Sequence, residues 1–103
     1  MDMSAGFKTF REFYPFYLSE HRHPICRRLH FLGTLLVIPC IALAVVTGSL
    51  WWLAAAPLCG YGFAWAGHFF FERNRPATFT HPLYSLIGDW AMFKDILTGR
   101  IAF

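Results

Sequence analysis

The sequence predicts an all-α membrane protein: a transmembrane helical hairpin with flanking amphipathic or partly embedded helices. Three observations predict it. Hydrophobic residues make up 56% of the 103 and charged residues only 15%, far from the balance of a soluble domain. From Leu29 to Phe71 there is no Asp, Glu, Lys or Arg in 43 residues, enough for two spans of about 20 residues each. Near the middle of that stretch, Thr47-Gly48-Ser49 makes a compact turn, with Trp51 and Trp52 just beyond it as interfacial anchors. The length suits one membrane-embedded domain, residues 1–103, with helices expected at about 4–19, 24–46, 50–73 and 82–98.

Each element has its own signals. Between Ser4 and Ser19, the residues Phe7, Phe10, Phe13, Tyr14 and Tyr17 fall at helical spacings, while Lys8, Arg11 and Glu12 take much of the other face. Ser4 or Thr9 would cap this helix, and Pro15 would kink or interrupt it. An aromatic-rich amphipathic helix of this kind suits the headgroup region, or could pack as an arm over the spans. Pro24 fits the first turn of the next helix, with His23 just before it. The first span runs from about Leu29 to Val46, with Pro39 as a tolerated kink. The second runs from about Leu50 to Phe71, and its Gly60, Gly62, Ala64, Ala66 and Gly67 give small surfaces for close helix approach. The last helix opens on His81-Pro82, as the earlier one opens on His23-Pro24, and Gly99 is its terminator. Asp89 and Lys94 argue that this helix lies at the interface or on the hairpin and does not span alone.

The formal charge of +3 is distributed by region. Lys8, Arg11, Arg22, Arg27 and Arg28 precede the uncharged stretch; Arg73, Arg75, Lys94 and Arg100 follow it; the turn between the spans carries none. An integral membrane protein with both termini on the cytoplasmic side is the expectation, in a bacterial inner membrane or the endoplasmic reticulum. Arginines beside the spans suit anionic lipid headgroups. No nucleic-acid partner is expected, because the basic residues form no single stripe. Cys26, Cys40 and Cys59 show neither disulfide nor zinc spacing and read as small apolar fillers.

The stretch Gly67-His68-Phe69-Phe70-Phe71-Glu72-Arg73-Asn74-Arg75-Pro76 concentrates chemistry where the apolar segment ends. His68 and Glu72 are four apart and share a helix face. Counting from Gly48, His30 lies 18 residues back and His68 lies 20 forward, a difference in depth of roughly 3 Å. His23 and Arg73 are each 25 residues from the same glycine. The hairpin therefore brings His30, His68, Glu72 and His23 into one layer, into which His81 could fold back. Such a layer could hold a metal ion, with iron and zinc both suited to imidazole, or could be histidines bonded to headgroups. His21, beside charged neighbours and off the seven-residue spacing, reads as a lone interfacial histidine. Asp89 could support a ligating histidine or be a solvated helix residue.

Taken together, His23-Pro24, His30-Phe31-Leu32-Gly33, the Gly67-to-Ala77 motif, and His81-Pro82-Leu83-Tyr84-Ser85-Leu86-Ile87-Gly88-Asp89-Trp90 resemble the Mpo-type family of 2-hydroxy-fatty-acid dioxygenases, polytopic membrane proteins. The resemblance covers roughly residues 7 to 98. It implies an iron(II)-dependent reaction of fatty-acid α-oxidation, shortening a 2-hydroxy fatty acid by one carbon with O2. It also implies His23, His30, His68 and His81 as the Fe(2+) ligands. In the mechanism built on it, Glu72 is a further ligand or base, and Arg73 or Arg75 steadies the substrate carboxylate. Cys26 departs from the Asn of the family's His-Pro block. Longer members carry further hydrophobic segments, so a second copy could complete the fold as a homo-oligomer, or the substrate length could differ. Two other classes stand beside this reading: a haem-binding membrane electron carrier with His30 and His68 as axial ligands, and a non-catalytic membrane adaptor.

Overall fold

A computed structural model describes residues 7–103. Its helices are α1 (Phe10–Ser19), α2 (Pro24–Thr47), α3 (Leu50–Ala66) and α4 (Pro82–Leu97). A π-helical turn, Gly67–Glu72, continues α3, and a short 3-10 turn, Ala77–Phe79, leads into α4. The chain is all-helical among the described residues. The candidate cap Ser4 and the expected helix start at residue 4 lie outside them.

The helix ends follow local chemistry. Thr9 caps α1 by accepting from the Glu12 N–H, while Glu12 reaches back to the Lys8 N–H at 2.9 Å, an arrangement close to a capping box. The helix runs on through Pro15. Its aromatic face holds it there: Phe13 and Tyr17 are fully buried against Met92 and Ile96 of α4, and the Tyr14 hydroxyl donates to Asp95 at 2.7 Å. Tertiary burial outweighs the single hydrogen bond that proline removes.

His23 caps α2, its Nδ1 accepting from the Ile25 N–H at 3.1 Å, with Pro24 at the first helical position. At the other end Gly48, with φ of 71°, closes α2 in the left-handed conformation, where glycine carries no Cβ penalty. Pro39 and Pro57 sit inside α2 and α3 without breaking them.

α2 and α3 pack antiparallel along most of their length. The closest approach is at Gly33, where a Cβ would stand 2.9 Å from the Cys59 carbonyl oxygen and 3.1 Å from that of Gly60. α2 has 24 residues, about 36 Å of helix, and is long and apolar enough to cross a membrane. The outward faces of the hairpin are hydrophobic and exposed, from Val45 and Val46 through Trp51 to Leu58 and Phe70. α1 and α4 cover only one end of it, the end bearing the termini of the hairpin.

Replacing Gly33 with Ala should therefore force the hairpin apart locally and cost about 1–3 kcal/mol. Gly62 has open space around it, so Gly62→Ala should be neutral or stabilising by up to about 1 kcal/mol. Thermal unfolding of both variants in detergent checks the contrast; equal midpoints would show that the close approach at Gly33 is immaterial.

Candidate metal centre

At the covered end of the hairpin, three buried imidazoles meet. His21 follows α1, His30 lies in the second turn of α2, and His68 lies in the π-helical turn. One ligand atom from each can be chosen so that all three lie within 4.8 Å of one another. The ring centroids are 4.3 Å apart for His21 and His30, 4.5 Å for His21 and His68, and 4.8 Å for His30 and His68.

The remaining ring nitrogens decide what the cluster can do. His21 Nδ1 lies 2.5 Å from the Tyr17 carbonyl oxygen, His30 Nδ1 lies 2.8 Å from the Cys26 carbonyl oxygen, and His68 Nδ1 lies 2.7 Å from Asn74 Oδ1. Each of these oxygens is an acceptor, so each Nδ1 carries the proton and donates it. Asn74 is oriented by its own amide, whose Nδ2 donates to the Glu20 carbonyl at 3.1 Å. All three neutral rings are thereby left with an unprotonated Nε2. Those of His21 and His30 lie 3.0 Å apart, where two lone pairs repel unless a cation stands between them. Burial, reinforced by His30 and His68, holds the His21 imidazole well below its usual pKa, so it is neutral and available as a ligand at pH 7.

The supporting geometry is local and specific. His21 is held by its bond to Tyr17, by stacking on the Tyr17 ring at 4.0 Å, and by Arg27, whose Nη1 donates to the carbonyls of His21 and Arg22. Tyr17 is anchored in turn by donating its hydroxyl to Asp89. Burial raises the Asp89 carboxyl to about 7, with the Tyr17 bond pulling the other way. At the far side, the Cβ of any residue replacing Gly67 would meet Cys26 Sγ at 2.9 Å. Glycine there lets the π-helical turn press against the start of α2. Arg73 then adopts φ of 59°, an uncommon conformation for a residue with a Cβ. The chain reverses, both Arg73 and Asn74 N–H groups reach the His68 carbonyl, and the Asn74 side chain is brought back onto His68.

His30 and His68, at equal depth by count, are thus brought together. His23 and His81 are placed elsewhere. His23 is half-buried at the cap of α2, against Phe71. His81 is buried among Phe7, Phe13 and Phe16, with Nδ1 bonded to the Thr80 hydroxyl at 2.8 Å and Nε2 unpartnered. The Glu72 carboxylate accepts from the His23 backbone N–H at 2.5 Å, at the positive end of α2. Arg73 and Arg75 are exposed on the loop, and Arg75 lies over the Phe79 ring. Asp89 supports His21 through Tyr17 rather than by direct contact. His21 was the member that sequence spacing missed. Its available signal was the four-residue step from Tyr17, which extends the buried face of α1.

The described residues thus combine an all-helical fold, a buried imidazole triad that could hold a metal ion, and one helix long and apolar enough to cross a membrane. A family model described as 2-hydroxy-palmitic acid dioxygenase Mpo1-like matches residues 7–101, and the chain belongs to that family. No curated protein and no solved structure matches it.

Two outcomes follow. His21→Ala should lose bound metal, and Asn74→Ala should weaken metal affinity by about 10–100-fold, whereas His23→Ala and His81→Ala should retain it; metal content after dialysis measures all four. Asp89 is raised from 3.8 to about 7, so the folded state binds more protons than the unfolded one across that interval. Its contribution to stability is full below the lower value and lost as pH rises to about 7. Asp89→Asn should remove that part of the pH slope, read as a smaller fall in unfolding midpoint than wild type shows on going from about pH 4 to pH 7.

Proposed function

We propose that the protein is an iron(II)-dependent dioxygenase of fatty-acid α-oxidation, seated in a membrane, that converts a 2-hydroxy fatty acid and O2 into the fatty acid one carbon shorter. The observation that carries the reading is the meeting of three buried imidazoles, His21, His30 and His68, with one ligand atom of each within 4.8 Å of the others, each ring fixed by an Nδ1–H bond and the Nε2 atoms of His21 and His30 3.0 Å apart. Family membership supplies the substrate class. Imidazole nitrogen suits iron, and a set of three leaves positions for exogenous ligands. Bound there, iron(II) would supply the one-electron chemistry that lets dioxygen react with the hydroxy acid.

The chain's own residues do the rest. Tyr17, Cys26 and Asn74 hold the three rings in one tautomer, so the ligand set is formed before substrate arrives. The apolar walls of the hairpin keep bulk water from the buried side of the cluster. Glu72 fixes the start of α2, and with it the position of His30. Arg73 and Arg75 are the exposed cations available to draw a carboxylate toward this end of the molecule. The atoms balance as a 2-hydroxy acid plus O2 giving the shortened acid, carbon dioxide and water. The apolar exterior of α2 and α3 supports integration in lipid, and the charge distribution supports termini on the cytoplasmic side.

The haem alternative meets a geometric obstacle. His30 and His68 ring centroids are 4.8 Å apart with planes at 87°, which leaves no room for a macrocycle held between them as axial ligands. The test is metal analysis of detergent-purified wild type beside His68→Ala, with absorption spectra and turnover of 2-hydroxy-palmitic acid under O2. About one iron per chain, no haem band, and loss of both metal and turnover in the variant is the expected result. Full turnover by His68→Ala would overturn the assignment. Zinc in place of iron, with no oxidation after anaerobic iron loading, would point to hydrolysis instead.

A further inference from the structure

We propose that the cleft between α2, α3 and α4 is the slot that receives the hydrocarbon chain of the hydroxy acid, taken from the lipid, with the polar head lodged at its histidine end. The identity of the amphiphile rests on the dioxygenase reading; the slot itself is read from the cavity. That cavity measures about 260 Å³ and is walled by Val37, Ala56, Gly60 and Leu86, with Thr34 and Asp89 among its polar groups.

Position along the helices orients it. Thr34 is four residues on from His30, one turn deeper in α2. Asp89 accepts the Tyr17 hydroxyl, and the Tyr17 ring stacks on His21. No imidazole lines the cavity, but its polar corner lies one helical turn from His30 and is separated from His21 by the Tyr17 side chain alone. Gly33, beside Thr34, faces the Gly60 carbonyl, so Thr34 and Gly60 share a level; Ala56, four residues before Gly60, lies one turn deeper, about 6 Å along the helix axis. The cavity thus begins about one turn from the histidine cluster and extends into the apolar depth of the hairpin.

Its chemistry selects an amphiphile over a plain alkyl chain. Asp89 places one oxygen on Tyr17 and is only half-buried while it lines the cavity, so its carboxyl is a hydrogen-bonding group in a mostly apolar space. A hydroxyl beside the carboxylate of a 2-hydroxy acid is a partner suited to it, whereas a chain without one leaves that group unmet. The volume lies below the roughly 300–1,000 Å³ of sites that enclose a whole small ligand. The slot consequently takes the first part of the chain and leaves the remainder among lipid tails. Bore is set where α2 faces α3 across the cavity: a Cβ on Gly60 would stand 3.3 Å from Val37 Cγ2, so added bulk narrows the passage.

The test uses the iron-loaded full chain in lipid nanodiscs and a 2-hydroxy-palmitic acid carrying a photoreactive diazirine within the first few carbons beyond the hydroxyl-bearing one. Labelled peptides are mapped by mass spectrometry, in wild type, Ala56→Leu and Leu86→Trp. The second variant brings bulk from α4 at a position that is exposed on its other side, so it does not depend on hairpin packing. Metal content verifies that each variant is folded. The expected result is labelling within the α2–α3–α4 cleft, competed by 2-hydroxy-palmitic acid at least tenfold better than by palmitic acid, and lowered at least fivefold in both variants. Labelling confined to lipid-facing positions such as Val45 and Leu58, unchanged by either variant, overturns the slot. So does equal competition by palmitic acid or a phospholipid. Cleft labelling with the expected competition, but without oxidation, sustains the slot and removes the dioxygenase reading. Turnover with labelling elsewhere does the reverse.

Discussion

Three neutral imidazoles buried together are a liability unless something accepts their lone pairs, and the covered end of this molecule is organised around that constraint. A buried polar nitrogen without a partner costs about 1–3 kcal/mol, and two of the three Nε2 atoms stand 3.0 Å apart. The rings cannot escape by changing tautomer, because each Nδ1 proton is committed to an oxygen. Two of those oxygens are backbone carbonyls, of Tyr17 and Cys26, and the third belongs to Asn74, whose amide is itself fixed on Glu20. Two of the three tautomers are thus held by backbone carbonyls and the third by a side-chain amide. That arrangement could hold a cation, and it differs from a core histidine whose two nitrogens are both satisfied.

Holding the cluster requires three segments to approach more closely than ordinary side chains allow. Gly33 lets α2 and α3 touch through their backbones, and Gly67 lets the π-helical turn rest on Cys26. The turn ends with Arg73 in the left-handed region, a conformation costing of order 1–3 kcal/mol for a residue with a Cβ. The return is specific: the reversal at Arg73 brings Asn74 back onto His68, six residues earlier. Within the motif from His68 to Asn74, the histidine offers the lone pair, Glu72 holds the start of α2, Arg73 turns the chain, and Asn74 fixes the tautomer. One short stretch ties both strands of the hairpin to one centre.

Much of this was legible before any coordinates, and the parts that were not have physical reasons. The all-α class followed from a long uncharged stretch divided by one glycine turn, and counting from that glycine put His30 and His68 at one level. Counting fails for His21 because it precedes α2 and reaches the site from the end of α1, through a tertiary contact that linear spacing does not encode. The pairs His23-Pro24 and His81-Pro82 invite a shared role, and they have one, since both histidines are N-caps of the helices their prolines begin. Only the ring of His23 makes a capping bond; that of His81 is enclosed by phenylalanines. A motif that marks a helix start thus resembles one that marks a ligand. The π-helical turn was invisible as well, because nothing in Gly-His-Phe-Phe-Phe-Glu distinguishes it from continued α-helix.

On the proposed reading of a dioxygenase seated in a membrane, the placement of the site accounts for the large apolar surface that the hairpin leaves uncovered. Val46 is 81% and Trp51 84% exposed at the far end of the hairpin, while the histidines at the near end are almost wholly enclosed. A soluble enzyme would spend extra chain covering the exposed faces; here α1 and α4 cover only the end that carries polar chemistry, where an uncovered imidazole or carboxylate would be costly next to lipid. An amphiphile embedded in the same lipid is already aligned with that gradient, its tail along the apolar faces and its polar head at the depth of the cluster. The protein need then supply only the last few ångströms of positioning, which a cavity of modest volume beside Thr34 and Asp89 can provide. Exposed apolar surface and buried polar centre are, on this view, two consequences of drawing substrate from the medium that also solvates the fold.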